Sequence, residues 1–134
     1  HIHQAKRFVL PDSIWMNAGS VGISLDGIGG VAAYMLAEEI EGALSVSFRH
    51  VGYPVEQVAA EIERSGLLTL APGIMRATLL ERSTGRHHEL DLIRFAKQYA
   101  AKRLGGAAEH IPAALWAEAE VEWPGGERDG AFPA

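Results

Sequence analysis

Apolar residues recur at spacings of three and four in several stretches of the chain. From Asp26 to Glu41, Ile28, Val31, Ala32, Met35, Leu36 and Ile40 trace one face of a helix. Ser24 or Asp26 is placed to cap it and Gly42 to end it. Glu38, Glu39 and Glu41 then crowd its C-terminus, where the helix dipole disfavours carboxylates by roughly a few tenths of a kcal/mol each. Pro54 to Ser65 carries Val55, Val58, Ala59 and Ile62 on one face, with Pro54 suited to a first turn and Gly66 as the stop. Asp91 to Leu104 places Leu92, Ile93, Ala96, Tyr99, Ala100 and Leu104 inward, and Gly105-Gly106 closes it.

Strict alternation marks the strands. Leu44 to Phe48 reads Leu, Ser, Val, Ser, Phe, a half-buried strand. His1 to Leu10 reads as an edge strand, Pro11-Asp12-Ser13 as a turn, and Ile14 to Met16 as a short apolar anchor. Leu67 to Leu70 reads as a strand broken by Ala71-Pro72-Gly73. Ile74 to Arg82 and His87 to Leu92 flank Ser83-Thr84-Gly85, which predicts a hairpin over 74–92. Beyond Ala107 a further amphipathic helix is expected over Ile111 to Val121, with Leu115, Trp116 and Ala119 on one face. Pro124-Gly125-Gly126 then opens a flexible tail.

These elements predict an α+β fold. Three main helices (26–41, 54–65, 91–104) pack on a small antiparallel sheet and bury Phe8, Val31, Leu36, Val58, Ile62, Leu79, Ile93 and Ala96, with Phe48 and Trp15 completing the core. Residues 1–106 form a single globular domain and 107–134 an acidic helix and tail. The order helix, strand, basic hairpin, basic helix over residues 26–92, with Ser65-Gly66-Leu67-Leu68 after a helix, resembles a winged helix-turn-helix DNA-binding domain. The resemblance implies a wing whose Arg76, Arg82, Arg86, His87 and His88 pair with phosphates. Arg49 to Tyr53 leaves little room for the helix that usually precedes the recognition helix. The polar face of 54–65 carries Glu56, Gln57, Glu61 and Glu63 against Arg64 alone. The expected DNA contacts are therefore the wing together with Arg94 and Lys97 of the following helix.

Charge sharpens this picture. The net charge of −5 over 134 residues is carried by the end of the chain, where residues 107–134 hold six acids and one base. Residues 74–104 hold seven bases against Glu81, Glu89 and Asp91. A basic middle points to a polyanion. The acidic Glu38, Glu39, Glu41, Glu56, Glu61 and Glu63 point instead to a non-catalytic protein–protein interaction module, expected to be homodimeric.

Other chemistry is thinner. Gly27-Ile28-Gly29-Gly30-Val31-Ala32 matches a phosphate-loop spacing, but no acidic residue follows the next strand, and close backbone packing is the favoured reading of these glycines. Six histidines without a cysteine show no metal-ligand spacing, so no metal or other cofactor is expected. No nucleophile elbow or metalloprotease motif is present, and no catalytic residue is assigned. His50, Tyr53 and Asp26 are a set that folding could gather in a cleft. No apolar run reaches transmembrane length, His1 to Leu10 lacks a secretion-signal core, and zero cysteines fit a cytoplasmic protein.

Overall fold

The structure, a computed structural model, describes residues 2–107 and 109–125. The expected tail beyond Gly125 lies outside them, as does His1. The architecture is α+β. β1 (Ala5–Val9) pairs antiparallel with β2 (Ile14–Ala18), and β3 (Val31–Ile40) pairs antiparallel with β4 (Ala43–Gly52). The helices α1 (Val55–Arg64), α2 (Leu67–Leu70), α3 (Pro72–Thr84), α4 (His88–Leu104) and α5 (Ala113–Glu122) follow. No helix among the described residues is long and apolar enough to cross a membrane.

The chain divides into two compact units, the first comprising residues 1–58 and 81–86, the second 59–80 and 87 onward. In the second unit, α4 and α5 bring Leu92 and Trp123 together with Ala77 of α3, all essentially buried, and Ile74, Leu80, Phe95 and Trp116 pack against them. Ala96, Ala100 and Ala119 are fully buried, and their small side chains let helix backbones approach closely. The Trp123 indole N–H donates to Asp91 Oδ2 at 3.0 Å, which satisfies its polar atom inside an apolar site. Gly105 ends α4 in the left-handed conformation, and the Gly106 N–H returns to the Ala101 carbonyl, as its position predicts.

The first unit is built on two hairpins. β1 and β2 run in register from Ala5↔Ala18 to Val9↔Ile14, joined across Pro11-Asp12, where the Leu10 N–H donates to the Ser13 carbonyl at 2.8 Å. β3 and β4 run from Val31↔Gly52 to Ile40↔Ala43. Their two-residue turn is Glu41-Gly42, with φ of 53° and 79°. Two positive φ values are what a hairpin turn matching the strand twist requires.

Four expectations are corrected. The helix over 26–41 does not form: residues 31–40 are β3, because ten-residue pairing with the alternating β4 outweighs the helical spacing of the same side chains. The glutamates at 38, 39 and 41 therefore oppose no helix dipole. The hairpin over 74–92 is instead most of α3 and the start of α4. Pro72 starts α3 rather than breaking a strand, and Gly85, at φ 70°, closes it with its N–H on the Glu81 carbonyl at 2.8 Å. Leu67 to Leu70 is a helical turn. Ile62 and Ala96 are buried as expected, whereas Phe8, Trp15 and Phe48 are exposed, each on a two-stranded sheet whose face is left open there.

Candidate functional site

The residues expected to contact DNA are split between the units. Arg82 and Arg86 belong to the first, while Arg76, His87, His88, Arg94 and Lys97 belong to the second. Arg76 is exposed but engaged by its own chain. Its guanidinium lies 5.1 Å from the centre of the Trp123 ring and donates to the Glu120 and Trp123 carbonyls at 3.0 and 3.2 Å. His88 is buried at the start of α4. Arg94 and Lys97 are exposed, about one turn apart on α4. Further along, Arg103 donates to the Tyr99 hydroxyl and pairs with Glu118 of α5 at 3.4 Å. The hydrogen bond and charge of Tyr99, then Glu118, hold the Arg103 pKa above its ordinary value.

The glycine-rich stretch ahead of β3 cradles no helix N-terminus. Its amides meet the C-terminal end of α3: Gly27 N–H donates to the Gly85 carbonyl at 3.0 Å and Gly30 N–H to the Arg82 carbonyl at 2.7 Å. Those carbonyls would otherwise be unsatisfied at a helix end. A Cβ on Gly29 would stand 1.8 Å from the Ser83 carbonyl oxygen, so glycine is required for backbone to lie on backbone.

His50 and Asp26 do come together. His50 Nε2 lies 2.9 Å from Asp26 Oδ2. Asp26 Oδ1 accepts the Ala5 N–H at 2.8 Å, and the Ser24 hydroxyl donates to Oδ2 at 3.3 Å. Partial burial alone would raise the pKa of this carboxyl. Hydrogen bonds from His50, Ala5 and Ser24 outweigh it and hold the group below its ordinary value. Tyr53 is tied elsewhere, its N–H on the Gly30 carbonyl. The cluster anchors structure, fastening the start of β1 and the end of β4 to the loop between β2 and β3. Among the described residues no group of three or more His, Asp or Glu side chains is arranged to hold a metal ion.

The root of the first hairpin is fixed from several sides, by this loop and by β2 itself. The Gln4 amide donates to the Leu25 carbonyl at 3.0 Å, Leu25 N–H to the His3 carbonyl at 3.3 Å, and the Asn17 amide to the Ile2 carbonyl at 3.3 Å. Beyond this root the outer end of the hairpin is open among the described residues. Phe8 faces Trp15 across one side, and Val9 faces Ile14 across the other. All four are exposed together with Leu10 at the turn, Val9 at 69% and Trp15 at 67%. Apolar side chains on both faces of a two-stranded hairpin are the surface feature that sequence reasoning missed. The clue was there: Phe8-Val9-Leu10 and Ile14-Trp15 are consecutive apolar residues, so apolar side chains fall on both faces at the hairpin's outer end.

An open cleft of about 600 Å³ in the second unit is lined mainly by apolar side chains, among them Leu68, Leu79 and Val121. Its charged members are already engaged, Arg76 as described and Glu120 by the Trp116 indole N–H at 2.8 Å. It therefore presents no convergent polar set to orient a small molecule. Comparison with protein-family models, with curated proteins and with solved structures returns no match to this chain.

Proposed function

We propose that this chain is a non-catalytic protein-interaction module whose working surface is the outer end of the β1–β2 hairpin. The observation that carries this is the exposure of Phe8, Val9, Leu10, Ile14 and Trp15 on a hairpin whose root is firmly hydrogen-bonded. An isolated two-stranded hairpin is marginal in water, and a third strand or a covering chain is what ordinarily stabilises one. Covering the large side chains contributes about 1.5–3 kcal/mol for each one fully buried. The nucleic-acid reading keeps Arg94 and Lys97 but has lost the wing as a hairpin, and Arg76 and Arg103 donate to acceptors of their own chain.

One experiment separates the two. The tagged chain is isolated from its own cells, and the purified chain is titrated with duplex DNA at several salt concentrations. The expected result is a stoichiometric polypeptide companion, a second copy or another protein, lost on V9S/W15S, with negligible DNA affinity. A strict monomer without a companion overturns the proposal. So does salt-dependent DNA affinity that survives V9S/W15S and disappears in R94Q/K97Q.

A further inference from the structure

Resting on the interaction reading above, we infer that the hairpin's partner is the tip of the β3–β4 ribbon of a second copy of this chain. The two surfaces are complementary in charge. Lys6 and Arg7 are the only lysine or arginine residues before Arg49, and both are exposed on β1. At the ribbon tip, Glu38, Glu39 and Glu41 are all exposed with no cation between them. The only acid on the hairpin is Asp12, in its turn.

They are complementary in apolar character as well. The tip carries exposed Ile40 and Leu44, the latter at 71%, beside its carboxylates. On one face of the hairpin Phe8 and Trp15 adjoin Lys6, and on the other Val9 and Ile14 adjoin Arg7. Each of the two sheets has only two strands, so every strand has an edge with no strand neighbour. Such edges, when long and apolar, pair with other chains. The ribbon is ten residues long on each side, roughly 33 Å of strand, and its tip is the end furthest from the Ala33–Ser20 contact that fixes its base. Both surfaces are open within one copy, so neither covers the other in cis. A second molecule supplies the missing half of each. Where one partner meets both surfaces reciprocally the assembly is a two-fold, isologous dimer; where it meets only one, the contact is head-to-tail and closes into a ring or runs on as a filament.

The test measures the mass of the full chain by light scattering and sedimentation over a wide concentration range, at low and high salt. Wild type is expected to self-associate, more weakly at high salt. K6E/R7E alone and E38K/E39K/E41K alone are each expected to weaken association by about ten-fold or more, through like-charge contacts. An equimolar mixture of the two variants is expected to restore it, since each hairpin then meets a tip of opposite charge. L44S, at an exposed site that leaves folding intact, supplies a second route to the same loss. Association indifferent to both charge sets, or not restored by mixing, overturns the inference. A monomeric chain that co-purifies with a different protein through Trp15 also overturns it while leaving the interaction reading standing. A monomer with no companion sinks both.

Discussion

The second unit encloses large apolar side chains in a helical core, although Leu70 and Val121 stay exposed, whereas the first unit leaves most of its own outside. Around Leu92 and Trp123, helix faces from α3, α4 and α5 enclose a core in which Trp123 is 3% exposed. Among the described residues of the first unit, the buried apolar ones are Leu25 and Ala33. What holds that unit is polar and local: the Asp26 carboxylate, the side chains of Gln4 and Ser20, and glycine amides laid on the end of α3. Apolar burial therefore dominates one unit and hydrogen bonding the other. The hydrophobic side chains unused by the first unit are the ones proposed to bind.

The largest effect that breaks this contrast is expected at Trp123. Trp123→Ala removes the centre of the helical core, the ring beneath Arg76 and the N–H donor to Asp91. Loss of about 3–5 kcal/mol is expected, measured as a fall in the denaturant midpoint. A loss below about 1 kcal/mol would show that the core does not depend on it. Next comes Gly29→Ala. Its new methyl group meets the Ser83 carbonyl oxygen at 1.8 Å, and backbone cannot yield as a side chain does. The expected cost is about 1–3 kcal/mol, with faster hydrogen exchange at the amides of Gly27 and Gly30. Unchanged exchange there would contradict the close-approach account.

Where the sequence was legible, a local rule decided the outcome. α1 and α4 follow from helical spacing bounded by Gly66 and Gly105, and β4 from the alternation of Leu44, Val46 and Phe48. β3 was illegible because residues 31–40 satisfy both periods. Val31, Ala33, Met35 and Ala37 lie on one side of the strand, while Val31, Met35 and Leu36 also fit a helix face. Only pairing with β4 through the turn at Glu41-Gly42 settles it, and that pairing is not local. α3 was hidden because Pro72-Gly73 looks like a break, although proline is as well suited to a first helical turn at Pro72 as at Pro54. The His50–Asp26 pair was legible as a set of residue types. The apolar runs Phe8-Val9-Leu10 and Ile14-Trp15 were legible but their exposure was not, because these residues read the same whether or not another chain covers them.

Asp26 tests the polar half of the contrast. Its carboxyl is held below the ordinary value of 3.8, so it binds a proton less readily in the folded chain than in the unfolded one. The stability it contributes is present above the unfolded pKa and is lost as pH falls through the folded value. Asp26→Asn is expected to cost about 1–2 kcal/mol near neutral pH by weakening charge-assisted hydrogen bonds. The difference from wild type should shrink as the pH drops below about 4. Urea midpoints of both proteins from pH 7 to pH 2 measure this. Parallel curves would show that the carboxylate's charge plays no part.

The smallest expected effect draws the contrast most sharply. Trp15 is expected in the core from the sequence, while Trp123 falls just beyond the helix expected over Ile111 to Val121 and carries no such expectation. In the structure Trp15 is 67% exposed and Trp123 3%. Trp15→Ser removes contacts that the isolated chain barely makes, so its folding stability should move by no more than about 0.5 kcal/mol. The same substitution should abolish association with the partner, because an exposed aromatic at the centre of an apolar surface is the kind of residue on which binding energy concentrates. Dilute, monomeric protein separates the two readouts: its thermal midpoint reports folding alone, and sedimentation at high concentration reports binding. A marked loss of stability at dilution would mean that Trp15 is a core residue of the first unit, and the hairpin would then have no surface to offer a partner.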